Sequence, residues 1–147
     1  NDNHKRIAVA VAAMWKPLGV QVELFNSEVK VHYADIQKQD FEVARAGWLA
    51  DYNDADNLLN LLKTGVNYNY GAWSNDEFDK LLNEANNETD LAKRGAMLKQ
   101  AERLAMDAHA SIPIYYYISR NVVSPKVKGF VDNVRDIHRT RWLSIEE

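Results

Sequence analysis

Residues 41–54, FEVARAGWLADYND, decide how the rest of the chain is read. Phe41 and Val43 alternate with Glu42 and Ala44, and that period of two predicts a half-buried strand. Arg45 takes the same face as Phe41 and Val43, and a guanidinium placed there needs acceptors, because an unpaired buried cation is costly. The run passes through Gly47 and Trp48 to Asp51. Asp51, Tyr52, Asn53 and Asp54 then make a polar turn that ends as the N-cap of a new helix. A cation, a large aromatic and a carboxylate therefore fall within the seven residues from Arg45 to Asp51, at the C-terminal end of an expected strand. Open α/β sheets bind their ligands at that end.

Upstream, Ile7, Val11, Met14 and Trp15 have helical spacing, which predicts a helix from His4 to about Lys16, capped by Asp2 or Asn3 and stopped by Pro17 and Gly19. Val20, Val22 and Leu24 alternate with Gln21 and Glu23, a strand pattern over residues 20–25. A helix over residues 27–38 leads into the strand at Phe41. The order helix, strand, helix, strand predicts an α/β fold with a parallel sheet and crossover helices.

Downstream, Leu58, Leu59, Leu61 and Leu62 are too dense for an exposed face, which predicts a short, mostly buried helix. Residues 65–71 read as a tyrosine- and asparagine-rich loop. Ser74 and Glu77 have capping-box spacing ahead of Phe78, Leu81, Leu82 and Ala85. Thr89 or Asp90 starts another helix. Its stripe of Leu91, Leu98, Ala101, Leu104, Ala105 and Ala108 opposes Lys93, Lys99, Glu102 and Arg103. Residues 112–118, carrying Tyr115, Tyr116 and Tyr117, read as a strand, and residues 137–145 as a last one.

At 147 residues, 46% hydrophobic and 27% charged, the composition is that of a soluble globular protein with one sizeable core. The net charge of −3, with Lys and Arg scattered, gives no support to a nucleic-acid partner. The absence of cysteine excludes disulfides, thiolate metal sites and a cysteine nucleophile. No apolar run approaches the ~18 residues of a membrane span, and no signal-peptide pattern opens the chain. An abrupt start in helical sequence is expected of a piece of a longer protein.

Motifs that carry chemistry are few. Asp51, Asn53 and Asp54 have a calcium-loop flavour, but Ala55, Asp56 and Leu62 occupy the fifth-position, turn-glycine and bidentate-glutamate places. His4, His32, His109 and His138 show no paired-ligand spacing, so no metal or other cofactor is expected. Phosphate-cradling loops and nucleophile elbows are missing. Asn87, Glu88 and Thr89 form a glycosylation sequon whose simpler role is starting a helix. Trp48 and Tyr117 are residue types found more often in cores or at rims than against ligands, and Arg45 and Asp51 pairing with each other is the plain alternative to ligand binding.

The run VARAGWLADYND, preceded by HKRIAVAVAAMWK and followed by SNDEFDKLL and IPIYYYISRNVV, closely resembles the C-terminal third of the periplasmic oligopeptide-binding proteins of ABC importers, extracellular solute-binding family 5. The resemblance covers nearly the whole chain and is weakest after about Lys128. It implies a fragment of the two-lobed type 2 periplasmic-binding-protein fold, with a parallel-rich sheet flanked by helices. Residues 1–118 would belong to the second, ligand-binding lobe and residues 119–147 would return towards the first. It further implies a monomeric, non-enzymatic receptor that clamps an extended oligopeptide between its lobes and delivers it to an inner-membrane permease.

Carried over residue by residue, the resemblance implies that Asp51 pairs with the peptide α-amino group and that Arg45 and His4 serve its carboxylate end. Trp48 would line a side-chain pocket and Tyr117 would contact the ligand. Gly47, read from its own chemistry, would let backbone approach the ligand. Two positions depart: Val29 stands where relatives carry a pocket tryptophan, and Ile36 where they carry a second carboxylate-facing arginine. A receptor for a sugar, opine or metal chelate is the reading these departures favour. A hydrolase using Asp51 and Asp54 as a carboxylate pair is the third.

Overall fold

The computed structural model describes residues 2–146, which fall into two compact units divided between Asp40 and Phe41. In the first unit, α1 (Asp2–Trp15) runs into a 3-10 turn, Lys16–Leu18. Pro17 is tolerated there because the start of a helical turn needs no amide donor, and Gly19 ends it at φ 80°, its N–H donating to the Lys16 carbonyl. Helix α2 (Val29–Gln37) is capped by Glu28, whose carboxylate accepts from the Lys30 N–H at 2.8 Å.

In the second unit, α3 (Ala55–Leu59) continues as a 3-10 turn, Asn60–Leu62, and is followed by α4 (Asp76–Asn87) and α5 (Leu91–Asp107). The core lies between the last two helices. Phe78, Leu81, Leu82 and Ala85 of α4 meet Leu98, Ala101 and Ala105 of α5, with Leu59 of α3 joining them. Alanine at 85, 101 and 105 lets the helix axes come close, while burying a side chain such as Phe78 contributes about 1.5–3 kcal/mol. Trp73 closes one end edge-on to Phe78, ring centroids 4.9 Å apart. The loop before α4 is stapled by buried Asn69, whose Nδ2 donates to the Trp73 carbonyl at 2.7 Å and lies 3.2 Å from those of Leu62 and Lys63.

Strand β1 (Val127–Lys128) pairs antiparallel with β2 (Ser144–Ile145), which follows a 3-10 turn, Thr140–Trp142. Gly129 is required beside this pair. Its φ is 79°, and a Cβ would sit 1.9 Å from the Trp142 carbonyl oxygen.

Several expectations are corrected. Among the described residues this two-stranded sheet is the only sheet, so the parallel sheet and the alternating helix–strand order are not formed within them. Residues 20–25 and 112–118 are irregular, without ladder partners, and every one of them is exposed. Alternation says which faces of a segment differ, but a strand also needs a neighbour to pair with. The segment from Phe41 likewise forms no strand ladder among the described residues, and the last strand shrinks to Ser144–Ile145.

The N-cap of α4 is Asn75 rather than Ser74, its Oδ1 accepting from the Phe78 N–H at 2.9 Å, while the Ser74 hydroxyl accepts from that of Thr64. Asp90 caps α5 as expected, accepting from the N–H groups of Ala92 and Lys93. In the short leucine-rich helix, Leu59 is buried but Leu58 is 43% exposed, and at the ends of the α5 stripe Leu91 and Ala108 face water.

Candidate ligand site

The loop after Gly47 has no regular secondary structure, and its order comes from α3. Asp54 starts that helix from an extended conformation, its Oδ1 accepting the Asp56 N–H at 3.1 Å. This places Asn57, buried on the first turn, under the loop. One Asn57 atom, Oδ1, accepts from the Trp48 indole N–H at 3.1 Å and from the Asp51 backbone N–H at 3.2 Å. The expected aromatic and the expected anion thus share one anchor.

Helix α5 holds α3 in turn. Arg94 makes two parallel hydrogen bonds to Asp54, 2.6 Å from Oδ2 and 3.0 Å from Oδ1, and its Nη2 lies 3.8 Å from Asp56. The Arg94 hydrogen bond, helped by the Asp56 N–H, lowers the Asp54 carboxyl from 3.8 to about 2, and the same contact raises Arg94. Asp56 moves the other way. Burial, then the Asp54 charge beside it, raises its pKa. Its Oδ2 accepts from the Tyr52 hydroxyl at 3.2 Å and Asn60 Nδ2 at 3.3 Å, while its buried Oδ1 has no hydrogen-bond donor among the described residues.

Trp48 packs at a 60° tilt against Tyr68, centroids 4.7 Å apart, and Tyr68 meets Tyr70 edge-on at 6.4 Å, making a short aromatic wall beside the loop. The Asp51 side chain is 59% exposed, with the Arg135 guanidinium 3.8 Å away.

A second group forms around Gly47. Arg45 donates to the Tyr117 hydroxyl, and a Cβ on Gly47 would lie 3.2 Å from Arg45 Nη2 and 3.6 Å from Tyr117 Cε2. Glycine therefore supplies space here, and the groups that use it are these two side chains. The alternative in which Arg45 and Asp51 serve one another gives way to Tyr117 for the first and Arg135 for the second.

His4 lies on α1, in the first unit. Val29 and Ile36 lie on α2. Val29 is exposed, but Ile36 is only 2% exposed, a covered apolar contact rather than an open pocket wall.

Sequence reasoning missed Asn57, Tyr68, Arg94 and Arg135. Arg94 was legible, since positions 94, 98, 101 and 105 are one helical face, and an arginine on an apolar stripe demands a carboxylate. Asn57 carries no comparable signal.

The fold recurs in known proteins. Over 99% of this chain, the structure of Haemophilus influenzae OppA in complex with the peptide RPPGFSPFR superposes with a TM-score of 0.86 at 34% identity, using 29% of that chain. The fold is thus that of part of a type 2 periplasmic binding protein. Residues 1–70 match the middle region of the bacterial extracellular solute-binding proteins, family 5, and most of the chain is similar to proteins of that kind. The oligopeptide-binding protein OppA of Bacillus subtilis is 45% identical over 134 residues, 89% of this chain and 24% of that protein. YgiS of Escherichia coli, a probable deoxycholate-binding periplasmic protein, is 40% identical over 147 residues, 99% of this chain and 28% of that protein. The chain therefore spans about a quarter of the length of these curated relatives.

Proposed function

We propose that this chain is part of a periplasmic, monomeric receptor that binds oligopeptides in an interlobe cleft and delivers them to an ABC permease in the inner membrane, without chemistry and without a nucleic-acid partner. Residues 1–118 belong, on this reading, to the second lobe and residues 119–147 return towards the first. The irregular segments at 20–25, 41–45 and 112–118 then join a parallel-rich sheet in the full-length protein. Binding works by hinge closure, which the ligand favours because it touches both lobes only in the closed state.

The observation that carries the reading is the state of Asp51. Its backbone is pinned to Asn57 while its carboxylate stays 59% exposed beside a guanidinium, so a carboxylate acceptor is presented in an anchored loop next to an aromatic wall. A peptide ammonium has the complementary charge and three donors. Arg45 and Tyr117, with Gly47 making room, and His4 on α1 are the groups assigned to the rest of the peptide. Trp48 is assigned to a side-chain pocket. The hydrolase reading loses support, because Asp54 is held ionised by Arg94 and has no proton to donate near neutral pH.

The test is titration of trialanine and N-acetyl-trialanine against the full-length protein and its Asp51→Asn variant. The free-amine peptide is expected to lose at least about tenfold in affinity, since a charge-assisted hydrogen bond contributes about 1.5–3 kcal/mol. The acetylated peptide binds the parent protein poorly and loses little more. Equal losses for both peptides would remove Asp51 from the amino end. The departure at exposed Val29, together with a 40%-identical relative described as probably deoxycholate-binding, favours a non-peptide solute as the second reading; Ile36, being covered, no longer adds to it.

A further inference from the structure

We propose that Asn57 is the positioning residue of this site: its buried carboxamide oxygen sets the Trp48 indole and the Asp51 carboxylate in fixed relation, so that both meet the ligand together. The inference rests on the peptide-binding reading and deepens it. Trp48 and Asp51 sit in a stretch with no helix or strand to hold it; Trp48 also packs on Tyr68 and Asp51 also faces Arg135, but what ties the two to one point of the fold is the pair of hydrogen bonds, 3.1 and 3.2 Å, to a single atom. The orientation of the amide follows from chemistry. An indole N–H and a backbone N–H are both obligate donors, so only the oxygen end of Asn57 satisfies them.

Asn57 is 8% exposed, so it does not itself offer a surface to the ligand. Its own place is secured from two sides. Asp54 caps the helix that carries it, and Arg94 reaches from α5 to grip Asp54. Without the shared acceptor the two donors turn to water, and the loop regains conformations that binding must then remove. Affinity falls although no ligand-contacting side chain has changed.

The experiment compares full-length parent protein, Asn57→Leu, Asn57→Asp, Trp48→Phe and the Asn57→Leu/Trp48→Phe double variant. Trialanine affinity is measured by calorimetry, and the Trp48 indole N–H is followed by ¹⁵N-resolved NMR, assigned by its absence in Trp48→Phe. Leucine removes the acceptor at similar volume, whereas aspartate keeps an oxygen in place. Asn57→Leu is expected to weaken trialanine by about tenfold, the size of one such hydrogen bond lost. The Trp48 indole signal should shift upfield and exchange faster with solvent while other indoles stay put. Asn57→Asp should keep the indole signal in its hydrogen-bonded position. The loss caused by Asn57→Leu should be smaller in the Trp48→Phe background than in the parent.

An unchanged indole signal in Asn57→Leu, unchanged affinity, or strict additivity with Trp48→Phe overturns the proposal. If Asn57→Leu fails to fold, Asn57→Asp decides: an indole signal lost there, with the melting temperature retained, overturns it equally. A parent protein that ignores trialanine overturns the peptide reading instead. That failure is distinguishable, because the indole signal still reports whether Asn57 holds Trp48.

Discussion

Arg94 and Asp54, forty residues apart in sequence, meet in a two-pronged hydrogen bond of 2.6 and 3.0 Å that ties the longest helix to the loop bearing Trp48 and Asp51. Asp54 also caps α3, so one side chain serves two elements. Asp54→Ala should cost about 1 kcal/mol through the cap alone and about 1.5–3 kcal/mol more through the charged hydrogen bonds. Arg94→Lys keeps the charge but not the fork, and should fall between Asp54→Ala and the parent protein. Thermal unfolding of the full-length variants checks the ranking, and Arg94→Lys melting with the parent protein would show that the geometry of the pair contributes nothing.

Acid should act on the same contact with a definite sign. Asp54 is depressed from 3.8 to about 2, so its stabilisation is fully present above about pH 4 and is lost as pH falls from there towards 2. Asp56 is raised, so it protonates first on acidification and its unfavourable share is relieved before Asp54 is lost. The stability difference between the parent protein and Asp54→Asn is therefore expected to hold or grow slightly on mild acidification, then shrink below about pH 4. A difference that decays already between pH 7 and 5 would contradict this assignment.

Ile36 separates a packing role from a ligand role. With the side chain 2% exposed, Ile36→Arg forces a guanidinium into a covered site and should cost about 3 kcal/mol or more, with no gain in affinity for a peptide carboxylate. Melting temperature and calorimetry on the same variant check it. A stable variant that binds free-acid peptides more tightly than C-terminal amides would return position 36 to the ligand cleft.

The elements that were legible in sequence are those whose partners lie within the chain. Helices α4 and α5 announce themselves because Phe78, Leu81, Leu82 and Ala85 face Leu98, Ala101 and Ala105, all within one unit. The strands at 20–25 and 112–118 were read from the same kind of pattern but have no pairing neighbour among the described residues, and local alternation cannot report that. In the site, Trp48 and Asp51 stood out through chemistry and placement. Asn57 did not, because a buried asparagine is recognised only once its two donors, Trp48 and Asp51, are seen to converge on it.

What the full-length protein carries when it is purified decides the ligand class most directly. Native mass spectrometry of the full-length protein purified from its host, followed by release and fragmentation of the bound material, should show adducts that fragment as short peptides with free N-termini. Trialanine added in excess should displace them from the parent protein and do so less well from Asp51→Asn. A bound population made up of a bile acid or another non-peptide solute, undisplaced by trialanine, would contradict the peptide assignment and leave the family's other ligand chemistry in its place.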